Sequence, residues 1–219
     1  MRAAVVTNAR ALSTHHLSAG TSGNVSVRWQ NGFLITPSAL PYPQTEPHDI
    51  VYVGLDGRPI GSHRPSSEWR IHRDIYIARP DAGAVIHAHA AFATTLACHE
   101  RRIPPFHYMV AAAGGDDIRC APYATFGTAE LSAHVLAAMQ NRRACLLANH
   151  GLVAAGASLD QALAIAVEVE ALCEMYWRCL QIDEPYRLTD EEMTAVIDQF
   201  NRGYGAGPAL RAGRTSATD

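Results

Sequence analysis

The 219 residues carry 18 basic and 21 acidic side chains, a formal net charge of −3, and hydrophobic side chains at 48% of positions. Charges scattered without long runs exclude capture of nucleic acid or of an anionic membrane by bulk electrostatics, so a small-molecule substrate fits better. All 18 basic residues are arginines, which excludes covalent catalysis through a lysine imine.

In chain order, residues 1–19 form a modest helix ended by Gly20. "NVSVRW" (24–29) and "GFLITP" (32–37) read as two short strands joined by the Gln30-Asn31-Gly32 turn, and "DIVYVG" (49–54) is a third strand running into Asp56-Gly57. "PSSEWRIHRDIYIARP" (65–80) is a helix bracketed by Pro65, its serine caps and Pro80. "GAVIHAHA" (83–90) is a strand, followed by helices in "AAFATTLACHE" (90–100) and "FGTAELSAHVLAAMQNR" (126–142). "ACLLANHGLVAAG" (144–156) reads as paired strands. Ser158 with Gln161 makes a capping box for a long helix through about Leu180, with Val169, Leu172, Cys173, Tyr176 and Leu180 on one face. "TDEEMTAVIDQF" (189–200) is the last helix before a Gly-rich tail. Strands that cluster as hairpins predict an α/β sandwich with a largely antiparallel sheet, not a doubly wound parallel one.

Five dispersed cysteines without a CxxC pair argue against a disulfide framework or a structural zinc knuckle. No stretch approaches the roughly 20 apolar residues of a membrane span, and the start lacks a signal-peptide pattern, so a cytoplasmic protein is expected.

His87 and His89 are separated by one alanine in an apolar run. On a strand, both rings project to one face and offer two metal ligands in fixed geometry. Two histidines satisfied by ordinary hydrogen bonds give the same pattern, so a third ligand decides. His150 stands at the end of an apolar strand, before Gly151, where a turn can aim it into a cleft. His15, His16, His48, His63, His72, His99, His107 and His134 lie in contexts that do not suggest ligands. "TSGNVS" at 21–26, "TPSAL" from Thr36 and "PSSEW" from Pro65 are donor-rich loops. Each reads either as ordinary helix and strand punctuation or as an anion cradle of N–H and hydroxyl groups, the last at a helix N-terminus. Glu68, in that helix's first turn, is either an ordinary dipole-stabilising carboxylate or a general acid/base close to substrate and metal.

The blocks "GTSGNVSVR", "LITPSALPY", "PSSEWR", "RPDAGAVIHAHA", "HYMVAAAGG", "CAPYATFGT" and "NHGL", in this order and spacing, closely resemble the class II aldolase/adducin family. The resemblance implies an αβα sandwich around a mainly antiparallel sheet, one such domain over 1–205 with a tail at 206–219, and a homotetramer with active sites between subunits. It implies a divalent metal, usually zinc, with manganese, cobalt or iron as alternatives, on His87, His89 and His150, with Glu68 as catalytic residue and displaceable ligand. Gly23, Asn24, Ser38, Ala39, Ser66 and Ser67 match the family's phosphate cradle. Tyr108 matches a tyrosine delivered from a neighbouring subunit to the aldehyde-side oxygen, and Tyr204 a C-terminal tyrosine near the site. The implied reaction cleaves a ketose 1-phosphate, L-fuculose 1-phosphate or 5-deoxy- or 5-methylthioribulose 1-phosphate, into dihydroxyacetone phosphate and a small aldehyde. The alternatives within the fold are a methylthioribulose-1-phosphate dehydratase, a pentulose-5-phosphate 4-epimerase and a non-enzymatic adducin-like module. The epimerases carry aspartate-threonine where this chain has Glu68-Trp69. Ala39 replaces a frequent glycine, and Ala148 and Asn149 replace bulkier polar residues beside His150.

Overall fold

The computed structural model describes residues 1–203; Tyr204 and the tail at 206–219, both singled out above, lie outside the described residues. The first helix, α1 (Arg2–Thr14), stops five residues short of the sequence expectation. His16 takes a left-handed conformation with φ of 56°, and the N–H groups of His16 and Leu17 return to the carbonyls of Ser13 and Leu12. This paired closure turns fully buried Leu17 back onto the core, which ends the helix before Gly20 is reached.

The strands are β1 (Asn24–Trp29), β2 (Gly32–Ile35), β3 (Val51–Gly54) and the two-residue β4 (Pro59–Ile60), which has no apolar run to announce it. Helix α2 (Trp69–Ala78) is shorter than expected: Pro65, Ser66 and Ser67 precede it, and Glu68 is its N-cap. There follow β5 (Ala84–Ala88), α3 (Ala91–Ala97), a 3-10 helix at Tyr108–Ala113, β6 (Cys120–Ala121) and α4 (Ala129–Ala138). Strands β7 (Ala144–Leu147) and β8 (Gly151–Gly156) lead to α5 (Leu159–Cys179) and α6 (Asp190–Asn201). The Ser158 box is only half formed. Ser158 accepts from the Gln161 N–H, but the Gln161 side chain takes the Ala157 N–H instead. A complete capping box forms at α6, between Thr189 and Glu192.

The eight strands make one sheet in the order β4-β3-β2-β1-β5-β8-β7-β6. Every pairing is antiparallel except β6 with β7, as expected of the sandwich. One face packs Val25, Val27, Ile86, Leu152 and Ala154 against α1, α3 and α5. The other packs Phe33, Ile35, Val53, Val85 and Val153 against α2 and α4. Among the described residues no helix is long and apolar enough to cross a membrane.

Candidate active site and metal centre

Strand β5 lies at the centre of the sheet, between β1 and β8. Its pleat sends Ala84, Ile86 and Ala88 into the α5-side core and Val85 and His87 to the α2 side, as the two-residue period requires. His89 is one residue past the strand, exposed at the edge of a cleft. His150 occupies the β7–β8 turn, where Asn149 takes a left-handed φ of 55°. Glu68 comes from the opposite layer, brought over the strand ends by the start of α2 and 6% exposed.

These four side chains converge. One ligand atom from each of Glu68, His87, His89 and His150 lies within 4.8 Å of the others. The three imidazoles stand edge to face with centroids 4.7, 4.9 and 5.0 Å apart. His87 Nε2 is 3.0 Å from His89 Nε2 and 3.1 Å from Glu68 Oε2, and His150 Nε2 is 3.3 Å from Glu68 Oε1. His87 Nδ1 is 2.8 Å from the Leu152 carbonyl, a bond that assigns its proton to Nδ1 and leaves the Nε2 lone pair facing the cluster.

The donor set fits a divalent cation on its own chemistry. Glu68 Oε1 is buried with no hydrogen-bond partner, an arrangement that costs free energy unless a cation or proton meets it. Burial, and then His87, lower the His89 and His150 pKa values to about 4, so both present neutral nitrogens as ligation requires. Burial opposes charge on His87, but the Glu68 carboxylate outweighs it and raises that pKa. Burial likewise opposes charge on Glu68, yet His87, His150 and the Asn24 amide hold its pKa well below the usual carboxylate range. Three imidazoles and one carboxylate are a donor set of the kind a divalent cation takes.

Three members of the cluster, Glu68, His89 and His150, line a cleft of about 390 Å³, with His87 buried behind them. Gly23, Asn24, Ser38, Ala39, Ser66 and Ser67 line it together, with Thr21 and Ser22 beside them. The loops are laced to one another: Ser66 N–H donates to the Thr36 carbonyl and Ser38 N–H to the Arg64 carbonyl. Ser38 and Ser66 therefore offer the cleft hydroxyls and not their own N–H groups. A Cβ on Gly23, at φ of 80°, would meet Ser18 Oγ at 2.6 Å and the His87 carbonyl at 2.7 Å, so only glycine fits. Ala39 holds a φ of 59°, the left-handed region where glycine carries no steric cost and alanine costs about 1–2 kcal/mol.

Sequence reasoning missed two aromatic residues of the lining. Tyr123 and Phe126, 60% and 63% exposed, line the cleft, on a turn whose Gly127 lies against the Ser67 carbonyl. Their block "CAPYATFGT" contributed to the resemblance without being given a role, and two aromatics in a polar turn were the available signal. Tyr108 begins the 3-10 helix, is 42% exposed, and does not line this chain's own cleft. His72 lies behind the metal-capable cluster, fully buried, and contributes no atom to it.

The profile of the Class II Aldolase and Adducin N-terminal domain matches residues 3–177. The chain belongs to this family. The 5-methylthioribulose-1-phosphate/5-deoxyribulose-1-phosphate aldolase of Rhodospirillum rubrum is 55% identical over 205 residues, covering 94% of this chain and 92% of the relative. The L-fuculose phosphate aldolase of Escherichia coli K12 is 50% identical over 190 residues, 86% and 88% of the two chains. A solved L-fuculose 1-phosphate aldolase superposes with a TM-score of 0.89 at 39% identity, covering 91% of this chain and 95% of its own. Membership accounts for the sandwich and for the shared order of its loops.

Proposed function

We propose that the chain is a metal-dependent ketose-1-phosphate aldolase yielding dihydroxyacetone phosphate and a small aldehyde, with 5-methylthioribulose or 5-deoxyribulose 1-phosphate preferred over L-fuculose 1-phosphate. The observation that supports this reading is the convergence of Glu68, His87, His89 and His150 beside a cleft that the serine and glycine loops line. The preference rests on the similarity to the Rhodospirillum rubrum enzyme and on the small Ala148 and Asn149 beside His150.

A divalent cation on the three histidines, zinc by the character of the ligands and otherwise manganese, cobalt or iron, would supply the Lewis acid that stabilises negative charge developing on the ketose oxygens. The hydroxyls of Ser38, Ser66 and Ser67 and the N-terminal end of α2 bind and orient the phosphate, with Gly23, Asn24 and Ala39 completing the wall. The proton lost by the C4 hydroxyl, as that oxygen becomes the aldehyde carbonyl, passes through the Tyr108 hydroxyl to the ionised Glu68, which delivers it to C3 once the C3–C4 bond has broken, so that no net proton is taken up. The place of Tyr108 outside its own chain's cleft supports a role in a neighbour's, within a homotetramer whose sites lie between subunits. Tyr204 is assigned to the same site, and the enzyme to the cytoplasm.

The test is cleavage of four ketose 1-phosphates, of 5-methylthioribulose, 5-deoxyribulose, fuculose and ribulose, read by coupling dihydroxyacetone phosphate to glycerol-phosphate dehydrogenase. The first two are expected to give the highest kcat/KM. Loss of water from the methylthio substrate without any dihydroxyacetone phosphate would identify a dehydratase and overturn the reading.

A further inference from the structure

Behind the metal-capable cluster runs a row of polar side chains sealed from solvent. Asn24 Nδ2 donates to Glu68 Oε2 at 3.1 Å, His72 Nε2 is 2.5 Å from Asn24 Oδ1, His72 Nδ1 is 2.6 Å from Ser26 Oγ, and Ser26 Oγ is 2.7 Å from the Tyr76 hydroxyl. Asn24 is 2% exposed, Tyr76 1%, and Ser26 and His72 not at all. Five buried polar groups are costly unless each is satisfied, and the row satisfies all of them except one oxygen, Glu68 Oε1.

The direction of the row follows from its first member. An ionised carboxylate only accepts, so Asn24 turns its NH₂ to Glu68 and its carbonyl oxygen inward. That oxygen needs a donor, which fixes the imidazole as the tautomer protonated on Nε2. Nδ1 then accepts from Ser26, and Ser26 accepts from Tyr76. Burial keeps this ring neutral, lowering its pKa to about 3. Without the imidazole donor, the Asn24 amide could rotate and set its oxygen against the carboxylate.

We propose that His72 is a positioning residue: through Asn24 it fixes Glu68 Oε2, which also stands 3.1 Å from His87 Nε2, and so sets the plane of the carboxylate whose other oxygen, Oε1, stands 3.3 Å from His150 Nε2. Glu68 thereby presents its carboxylate to the histidines in one orientation for ligation and proton delivery. The proposal rests on the reading of Glu68 and the three histidines as a metal centre.

The experiment compares wild type, His72→Phe and His72→Gln, measuring divalent-metal affinity by chelator competition and, separately, kcat and KM. Phenylalanine keeps the ring volume without a donor, whereas the glutamine amide reaches the Nε2 position and can donate to Asn24. His72→Phe is expected to weaken metal affinity and lower kcat by about 10–100-fold each, with KM changed by less than about threefold, and His72→Gln to recover most of both losses. Equal metal affinity and kcat in the two variants overturns the proposal. If His72→Phe does not fold, His72→Asn replaces it, since its amide reaches only the Nδ1 position. A deficit relative to His72→Gln supports the proposal, and parity overturns it. Wild-type protein that binds no divalent cation is a separate result, and it removes the metal centre itself.

Discussion

On β1, Val25 and Val27 point into the core beneath α1 and α5, whereas Asn24 and Ser26 point towards α2. The same split recurs on β5, where Ile86 and Ala88 face one layer and His87 the other. One face of this sheet is held by apolar burial, which is non-directional and forgiving of small shifts. The other packs Phe33, Ile35, Val85 and Val153 in the same way, but near the strand ends it is held by hydrogen bonds of 2.5–3.1 Å among Asn24, Ser26, Glu68, His72 and Tyr76, which tolerate little displacement. Chemistry is built at those strand ends, where position is specified by direction, and stability comes chiefly from the apolar layers, where it is not.

The widest separation between the apolar layers and the strand ends is expected from a pair of substitutions. Glu68→Gln keeps an acceptor for Asn24 but cannot carry the proton, so kcat for cleavage should fall by about 10²–10⁴-fold with the unfolding midpoint little changed. Leu172→Ala, at a fully buried position of α5, should do the reverse, costing about 2–5 kcal/mol of stability while the folded fraction keeps its kcat. Denaturant titration alongside steady-state kinetics reads both. A Leu172→Ala enzyme with lowered kcat per folded molecule would break the division.

The apolar layers were the more legible of the two in the sequence. Val169, Leu172, Cys173 and Tyr176 recur at helical spacing and are all buried in α5, because hydrophobic periodicity reports burial directly. Helix and strand ends were less legible. Leu17 pulls the chain back at His16, and no propensity encodes that tertiary contact. On the site face, His87, His89 and His150 could be singled out because ligand spacing on a strand and a turn is a local pattern. His72 could not, since its partners Asn24 and Ser26 lie 48 and 46 residues away. Tyr123 and Phe126 were equally hidden: an aromatic in a turn becomes part of a cleft only when the other loops that line it are in place.

A pH series sharpens the same comparison. In the folded metal-free protein the His72 pKa is about 3, against an ordinary value of 6.5. Between these values the unfolded chain binds a proton that the folded chain does not, so stability rises with pH across the interval and the contribution is nearly complete above about 6.5. Relative to His72→Gln, which has no such group, wild type should gain about 1.6 kcal/mol from pH 5 to 6.5 and only about 0.4 kcal/mol more by pH 8. Denaturant midpoints of the two proteins at matched pH give the difference directly. A constant difference across the series would show that His72 is not held neutral by its surroundings.

The smallest effect comes from two helix caps of the same kind on opposite faces. Ser158 caps α5 by accepting from the Gln161 N–H at 3.2 Å, and Thr128 caps α4 by accepting from the Leu131 N–H at 3.2 Å. Alanine at either position should cost about 1 kcal/mol. Thr128 has a second bond that Ser158 lacks: its hydroxyl donates to the Thr125 carbonyl at 2.7 Å, tying down the turn that holds Ala124 and Phe126 against the cleft. Thr128→Ala should therefore raise KM severalfold at unchanged metal affinity, while Ser158→Ala leaves KM alone. Equal KM values in the two variants would mean that the aromatic lining is held by packing and not by the cap, and that hydrogen-bond direction matters at Glu68 but not at the turn that carries Phe126.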